Sequence, residues 1–270
     1  MVQVPIPTSV RLALSPRELD AAYRLLHDSY VEQGYQEPDP SGVRLLPPYA
    51  LPTTYTFLVL QERNIVGTAS LVGRGALGLP MEAQHQSEIL ELCSRGRNPG
   101  EISGLAFQTQ ERAAVLRLMR SIVAFATRVV PMTDFCIAVN PAHVRFYTKC
   151  LLFEDLGEVR PCNEVNGAPA VPLRLDLETA VERWSREHAG NVIGRYFSAG
   201  SVEGEVEDYP TLAAGLKKDL LPATLARLQY ARRWMEDSPT RRWKIHQTRV
   251  IERECKEETR RLLKKDLAVL

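Results

Sequence analysis

The segment NPAHVRFYTKCLLFE, residues 140–154, carries the most specific structural signal in the sequence. Its leading Asn-Pro pair is typical of a helix start, because Asn caps helices well and Pro suits the first helical position. We therefore predict a short helix from here through Cys150. Strands over 153–160 and 170–177 should follow and complete a sheet, joined by the turn-prone residues 163–169.

The residues before this segment carry alternating strand and helix signals. We predict a strand over 101–108, a helix over 111–130 that ends at a proline, and a buried strand over 134–139. Apolar, β-branched stretches at 54–60 and 65–72 should form a hairpin. The helix over 111–130 is the strongest, because one face collects its apolar residues: Val115, Leu118, Met119, Ile122, Phe125, Ala126 and Val129.

The N-terminal region supplies one more strand and two more helices. A strand over 10–14 precedes a helix that opens with a capping sequence at Ser15 and fades near Gly34. Residues 35–54 are rich in Pro, Asp and Ser and should form a long loop. A further helix is predicted over 82–95.

The last third of the chain differs in character, with few strand signals and many helical ones. Three helices are predicted, over about 178–189, 210–236 and 239–267. We therefore divide the chain into an α/β (α+β) domain over 1–177 and a helical C-terminal extension over 178–270.

Composition argues against several classes of protein. The 270 residues carry a net charge of +1, so no global field favours nucleic acid. No apolar run reaches the roughly 18 residues of a membrane span, and the first residues lack a signal pattern. The cysteines form no CxxC pair, which argues against a zinc site or disulfide framework and for a cytoplasmic location. They are Cys93, Cys136, Cys150, Cys162 and Cys255.

The order of elements resembles the GNAT acyltransferase fold, a mixed central sheet flanked by helices. Residues 140–154 are similar to the FYxxxLGFE signature near the end of GNAT domains, with Leu152 where many members have Gly. Ordinary acetyl-CoA members hold pyrophosphate on a glycine-containing loop between the central strand and the long helix. Here that junction, 107–113, has no glycine, and Glu111 adds negative charge. We therefore do not expect the chain to bind the pyrophosphate of coenzyme A in the usual way.

Three further segments resemble a narrower group, the FeeM-like N-acyl amino acid synthases. They are YRLL and YVEQGY within 23–35, IVGT at 65–68 followed by GLPM at 78–81, and EISGLA at 101–106. This group is related in fold to acyl-homoserine-lactone synthases. Those enzymes have Arg where this chain has Gly104, so homoserine lactone is not the expected product.

The resemblance covers about residues 10–177 and implies an N-acyltransferase. It implies transfer of a fatty-acyl chain from acyl-carrier protein, or from acyl-CoA, onto the α-amine of an amino acid. No metal, no cofactor besides the acyl donor and no covalent acyl-enzyme are implied. The corresponding setting is the bacterial cytoplasm, in lipid signalling.

Three residues are candidates for the chemistry of forming an amide from a thioester. Glu101 opens the central strand and could take a proton from the amine, which requires burial to raise its pKa. Ser103 follows on the same face and could bond the substrate. Tyr147 matches a tyrosine that many GNAT enzymes use as general acid for the leaving thiolate. Each residue also has a structural alternative: a solvated Glu, a Ser satisfied within its strand, and a packed Tyr.

Five residues are predicted to bind substrate. Arg24 could pair with a substrate carboxylate or a carrier phosphate, although an Arg on a helix is usually solvated. Tyr30 and Tyr35 could line the acyl or amino-acid pocket, although Tyr30 also fits the apolar face of the first helix. Leu105 and Phe107, on the central strand, are assigned to the same pocket.

The tail sets basic residues beside tryptophans at 232–234 and 241–244, with further basic pairs at 260–261 and 264–265. Such a surface could dock an acidic carrier protein, contact a membrane surface or form a homodimer. It also resembles an RNA-binding signature, while the interspersed Glu and Asp fit an ordinary solvated helix.

Two alternative functions stay open at this stage. The first is a GNAT-fold acyltransferase that acts on another amine, such as a protein or a polyamine. The second is a non-enzymatic module that binds an acyl ligand or a partner.

Overall fold

The computed structural model describes residues 8–108, 112–197, 208–237 and 243–267. Within them lie the strands β1 (Thr8–Leu12), β2 (Thr54–Gln61), β3 (Asn64–Gly73), β4 (Pro99–Phe107), β5 (Asp134–Val139), β6 (Glu154–Asp155), β7 (Arg160–Cys162) and β8 (Ala168–Asp176). The sheet order is β1-β2-β3-β4-β5-β8-β6, and β7 pairs with β8. All pairs are antiparallel except β4 and β5, which run parallel. The fold is therefore the mixed sheet that the sequence predicts.

Helices cover both faces of this sheet. They are α1 (Pro16–Glu32), α2 (Glu82–Ser94), α3 (Arg112–Arg128), α4 (Val144–Cys150), α5 (Leu177–Glu187), α6 (Val192–Phe197), α7 (Tyr209–Asp237) and α8 (Ile245–Leu267). Along β2, Phe57 and Val59 belong to the apolar cluster that contains α3, whereas Leu58 and Leu60 belong to the cluster that contains α1. This alternation follows from the two-residue period of a strand, and it gives the sheet two apolar faces.

Helix α1 begins where the capping sequence predicts. The Ser15 hydroxyl accepts a hydrogen bond from the backbone N–H of Glu18 at 3.3 Å. The Glu18 carboxylate in turn accepts from the N–H of Leu14 at 2.7 Å and pairs with Arg11. These bonds satisfy donors that every helix start leaves open, so the chain turns sharply from β1 into α1.

Three element predictions need correction. The predicted strand over 153–160 is interrupted and survives only as the short β6 and the first residue of β7, because Gly157 and exposed charged residues lie between them. Helix α6 was not predicted at all. The predicted helix over 239–267 is observed from Ile245 onward, and its first residues, 239–242, lie outside the described residues.

Leu152 adopts a left-handed backbone conformation, with φ of 57°. It follows the end of α4, at the position where many GNAT sequences have Gly. A left-handed conformation costs a non-glycine residue roughly 1–2 kcal/mol. The buried side chain of Leu152 packs in the main apolar cluster, and that burial offsets the backbone cost.

The C-terminal helices pack on the sheet domain. Residues of α7 lie against α1, α3 and β1, and α8 lies against the short 3-10 turn Pro47–Ala50. Arg227 of α7 is buried and donates to the carbonyl of Tyr49 at 2.7 Å and to the Thr56 hydroxyl at 2.6 Å. The extension therefore shares a core with the sheet, while the division at residue 177 stays a prediction. None of the described helices combines the length and apolar character that crossing a membrane requires.

Candidate active site

The centre of the sheet opens where β4 and β5 separate. The two strands pair only at Pro99, Gly100 and Glu101, opposite the first three residues of β5. Beyond Glu101 the edge of β4 that faces β5 has no ladder partner on that side. The two central strands therefore part directly after Glu101.

A bulge in β4 lies next to this divergence. Ser103 pairs with Ser70, and Ala106 pairs with Thr68, so Gly104 and Leu105 together oppose one residue of β3. Gly104 has φ of +64°, a conformation that glycine adopts without strain. The bulge turns the strand away from β5 at the point where the site begins.

A cavity of about 730 Å³ occupies the opening. Residues 101–108 of β4 and its end line one wall, and residues 137–140 at the end of β5 line the other. The carboxyl end of α1, the loop after it and the segment around β7 close the remaining sides. Of the eight predicted site residues, seven line this cavity: Glu101, Ser103, Tyr147, Tyr30, Tyr35, Leu105 and Phe107.

Glu101 is a buried carboxyl group, with 4% of its surface exposed. Its Oε2 accepts a hydrogen bond from the backbone N–H of Met81 at 2.7 Å. Burial raises the pKa of Glu101 to about 8, although the Met81 N–H and the Ser103 hydroxyl act in the opposite direction. The nearby carboxylates of Glu164 and Glu82 add to the rise. A carboxyl group with such a pKa can exchange a proton near neutral pH.

Ser103 lies on the same face as Glu101, as the two-residue period predicts. Its Oγ is 2.8 Å from the hydroxyl oxygen of Tyr49, which is buried in the 3-10 turn Pro47–Ala50. Burial raises the pKa of the Tyr49 phenol, so this group stays protonated. Ser103 is thus held by a loop residue that sequence reasoning did not identify.

Besides Tyr49, three tyrosines line the cavity. The rings of Tyr30 and Tyr35 meet edge to face, with centroids 5.7 Å apart. Tyr147 packs edge to face against Phe146 and Phe153, and burial raises the pKa of its phenol to about 12. Among the described residues no hydrogen-bond partner contacts the Tyr147 hydroxyl. This group is therefore a protonated donor that lies at the cavity and is not engaged elsewhere.

Part of the apolar lining comes from β4. Leu105 and Phe107 belong to the apolar cluster around α3 while also lining the cavity. The Phe107 ring lies directly over Gly67 of β3, where a Cβ would approach it within 2.5 Å. Gly67 therefore leaves room for the aromatic wall of the cavity.

Arg24 is the predicted substrate-binding residue that the structure places elsewhere. Its guanidinium pairs with Asp20 at 2.7 Å and donates to the carbonyl of Ser41 at 2.9 Å. Half of its side chain is exposed, and it is not part of the cavity lining. The contact with Ser41 holds the loop after α1 against that helix, which gives Arg24 a role in loop structure.

Sequence reasoning missed the polar residues that reach the cavity from loops. Arg44 comes from the loop after α1, and Tyr49 comes from the 3-10 turn. Cys162 is the last residue of β7, and Glu164 lies in the turn that follows it. The predicted loop 35–54 showed only turn-forming residues, and no local pattern marks which side chain of a loop turns inward.

The junction where GNAT enzymes bind pyrophosphate is described only in part. Gln108 and Arg112 line the cavity, but residues 109–111, including the predicted negative charge of Glu111, lie outside the described residues. Over the described part of the chain, no group of three or more His, Cys, Asp or Glu side chains could hold a metal ion.

Comparisons with known proteins agree with this geometry. Residues 21–176 match the family model of the N-acyl amino acid synthase FeeM. The structure of FeeM from uncultured soil microbes is 26% identical, with a TM-score of 0.59 over 65% of this chain and 94% of that chain. The AHL synthase LasI is 14% identical, with a TM-score of 0.51 over 66% of this chain and 94% of that chain, and it shares the fold.

A third solved structure, an aminoglycoside acetyltransferase in complex with coenzyme A and kanamycin, is 18% identical. Its TM-score is 0.45, over 66% of this chain and 98% of that chain. No curated protein sequence matches the chain. The GNAT-like fold and the family resemblance predicted from the sequence are confirmed by the family match and by the structures of FeeM and LasI.

Proposed function

The chain belongs to the FeeM family of N-acyl amino acid synthases, and from this premise we propose that it moves a fatty-acyl chain from acyl-carrier protein onto the α-amine of an amino acid. Family membership makes the chain a GNAT-like N-acyltransferase, so the non-enzymatic module considered above is set aside. The carrier protein as donor and the amino acid as acceptor belong to the proposal.

The observation that carries the proposal is a buried carboxyl group with a raised pKa on the wall of the cavity where the sheet opens. Glu101 ends the paired part of β4 and β5, and the cavity begins beside it. An acceptor amine reaches the reaction mostly as ammonium and must lose a proton before it can attack. A carboxylate whose pKa is raised to about 8 by burial is well matched to take that proton.

The remaining steps use groups at the same opening. The amine nitrogen forms a bond to the thioester carbonyl carbon, and backbone N–H groups along the unpaired edge of β4 stabilise the oxyanion. The carbon–sulfur bond then breaks, and the leaving thiolate takes a proton from the Tyr147 hydroxyl. The nitrogen loses two protons in all. Glu101 takes the first and releases it to solvent, and the second, lost from the tetrahedral intermediate, passes through solvent to restore the Tyr147 hydroxyl. The net reaction releases one proton, and the enzyme ends as it began.

The choice of carrier protein as donor rests on the pyrophosphate junction. Residues 107–113 contain no glycine, so backbone N–H groups cannot approach a pyrophosphate as closely as in ordinary acetyl-CoA enzymes. A carrier-bound phosphopantetheine has no pyrophosphate and does not need that loop. Acyl-CoA remains the competing donor in the experiment.

The test is product analysis with the purified full chain. The protein is incubated with dodecanoyl-acyl-carrier protein or dodecanoyl-CoA and the standard amino acids, and products are identified by mass spectrometry. We expect N-dodecanoyl amino acids, formed faster from the carrier protein. Glu101→Gln should lower the rate on the order of 100-fold or more, since general bases contribute about that much.

Glu158→Gln serves as the matched control, because Glu158 is exposed and lies outside the cavity lining. It should leave the rate unchanged. Exclusive acylation of amines that lack a carboxylate would overturn the proposed acceptor, and a fully active Glu101→Gln protein would overturn the role of the base.

A further inference from the structure

Arg44 places a positive charge on the wall of the cavity. It lies in the loop between α1 and the 3-10 turn Pro47–Ala50 and is half-buried. Its guanidinium carbon stands 4.4 Å from the centroid of the Tyr30 ring, so the plane of the group is held by a cation–π contact. One terminal nitrogen donates to the Gln36 side-chain oxygen and the other to the carbonyl of Glu164, each at 2.7 Å.

These partners orient the Arg44 guanidinium without neutralising it. Both acceptors are uncharged, and among the described residues no carboxylate forms an ion pair with Arg44. The Glu164 carboxylate lies in the same cavity, but it accepts from the Gln84 amide at 2.9 Å and from the Cys162 thiol at 3.4 Å. A partly buried cation with neutral partners favours an anion beside it, since each terminal nitrogen still has one N–H to donate.

The acidic group of the cavity is Glu101, and it lines the cavity together with Arg44, Tyr30 and Tyr49. The charge of Glu101 raises the pKa of the Tyr30 and Tyr49 phenols, and the charge of Arg44 lowers the pKa of both. The same cavity is therefore lined by an acidic group at the opening of the sheet and by a basic group from the loop after α1. A molecule with one ammonium and one carboxylate has the complementary arrangement.

We propose that Arg44 binds the α-carboxylate of the acceptor amino acid and thereby points its amine at Glu101. This inference rests on the proposed function and adds the feature that selects the substrate class. An acceptor without a carboxylate loses the contact and leaves the Arg44 charge unpaired. A polyamine would also bring further positive charge towards Arg44, so polyamines and decarboxylated amines are poor acceptors.

The kinetic test compares an amino acid with its decarboxylated amine, using phenylalanine and phenethylamine with dodecanoyl-acyl-carrier protein. Arg44→Gln should raise KM for phenylalanine about 10- to 100-fold, the range expected for charge-assisted hydrogen bonds. KM for phenethylamine and for the acyl donor should stay unchanged. A rise in the donor KM alone would instead assign Arg44 to the carrier phosphate and overturn the proposal.

Arg117→Gln is the matched control. Arg117 lies on α3 outside the cavity lining, is likewise half-buried, donates to the carbonyl of Thr8 at 2.8 Å, and has a buried Nε without a partner, as Arg44 has. It should leave both KM values unchanged. Equal effects of the two substitutions would reduce Arg44 to a structural residue and overturn the proposal.

A binding experiment separates this inference from the proposed function. Calorimetry measures the affinity of N-dodecanoyl-phenylalanine and of its primary amide, which lacks the negative charge. We expect the wild-type chain to prefer the acid about 10-fold or more and Arg44→Gln to lose that preference. The result stands whether or not turnover is found: equal affinities in the wild type, or no binding of either probe, would overturn the role of Arg44.

Discussion

At the scale of single residues, burial determines what the polar groups of the cavity can do. Glu101 is almost fully buried and lacks a cationic partner among the described residues, so desolvation outweighs its two hydrogen-bond donors and raises its pKa. Asp134, buried one strand away, shows the opposite outcome, because Arg97 and Arg174 pair with it and lower its pKa. The same sheet therefore holds one carboxyl group suited to proton exchange and one fixed as a structural anion.

The rate of acyl transfer should depend on the ionisation of Glu101. Only the carboxylate form can accept a proton, and the pKa of Glu101 is raised to about 8. We expect kcat to rise with pH and to level off above an inflection near pH 8. Initial rates between pH 5 and 10 measure this profile, and Glu101→Gln should lose the inflection. An inflection near the ordinary pKa of a glutamate would contradict the assignment.

The same shift predicts how stability changes with pH. Because the folded-state pKa of Glu101 lies above its unfolded value of 4.5, the folded protein binds the proton more tightly. This contribution is fully present below pH 4.5 and is lost as pH rises through about 8. Glu101→Gln cannot ionise, so its stability relative to the wild type should increase over that window by about 2–4 kcal/mol. Thermal or urea unfolding at pH 5 and pH 9 would detect the difference, and a constant difference would contradict it.

Tyr147 should contribute to the chemical step without contributing much to stability. Its ring is fixed by Phe146 and Phe153, while its hydroxyl contacts no partner among the described residues. Tyr147→Phe should therefore lower kcat on the order of 100-fold, the contribution typical of a general acid. The Tm should stay the same. Unchanged kcat would leave Tyr147 with the packing role that the sequence analysis considered as its alternative.

At the scale of elements, the β4 bulge links the fold to the chemistry. It shifts the register of β4 against β3 by one residue, follows the end of the β4–β5 pairing, and brings Gly104 close to α1 and to the 3-10 turn. A Cβ at Gly104 would lie 3.0 Å from both Leu26 and the Tyr49 hydroxyl. The glycine that distinguishes this chain from acyl-homoserine-lactone synthases is thus required by backbone conformation and by close packing.

Gly104→Ala should damage both stability and activity. A left-handed alanine costs roughly 1–2 kcal/mol, and its methyl group displaces the Tyr49 hydroxyl that holds Ser103. Urea unfolding should report that loss, and kcat should fall because Ser103 and Glu101 lose their fixed positions. Gly34→Ala is a suitable control, since Gly34 also has positive φ but has open space around its Cβ position. Gly34→Ala should lower the stability of the protein and leave kcat unchanged.

The element boundaries show what local sequence can predict. The capping sequence at Ser15 and the apolar face of α3 predicted their helices because these signals involve neighbours along the chain. The interrupted strand between Glu154 and Cys162 was predicted as continuous because its apolar residues suggested a strand. Whether each of its residues found a partner on β8 depended on the path of the chain in space.

At the scale of the whole molecule, the C-terminal extension contacts residues that hold the active site in place. Arg227 of α7 contacts Tyr23, the Tyr49 carbonyl and Thr56. The hydroxyl of Tyr49 lies against Ser103, two residues from Glu101. The family match ends at residue 176, so this support comes from outside the matched region. The extension therefore stabilises the loop that forms one wall of the cavity.

Arg227→Met should destabilise the protein by about 3 kcal/mol, because it leaves the buried carbonyl of Tyr49 without a donor. Arg233→Met is the control, since Arg233 is exposed on the same helix. Urea unfolding measures both changes. Equal stability of Arg227→Met and the wild type would mean that the cost of burying the charge already offsets its hydrogen bonds.

Apart from α6 and the break between β6 and β7, the sequence by itself determined the order of elements. It also determined the GNAT-like fold, the family, and the placement of Glu101 and Ser103 on one face of the central strand. Periodicity and capping act between residues a few positions apart, so they can be read along the chain. Only the tertiary structure decided that β4 and β5 part after Glu101, that Arg24 lies outside the cavity, and that Arg44, Tyr49 and Arg227 converge around it. These contacts join residues far apart in sequence, and they form because burying both faces of the sheet fixes where the loops and the extension can lie.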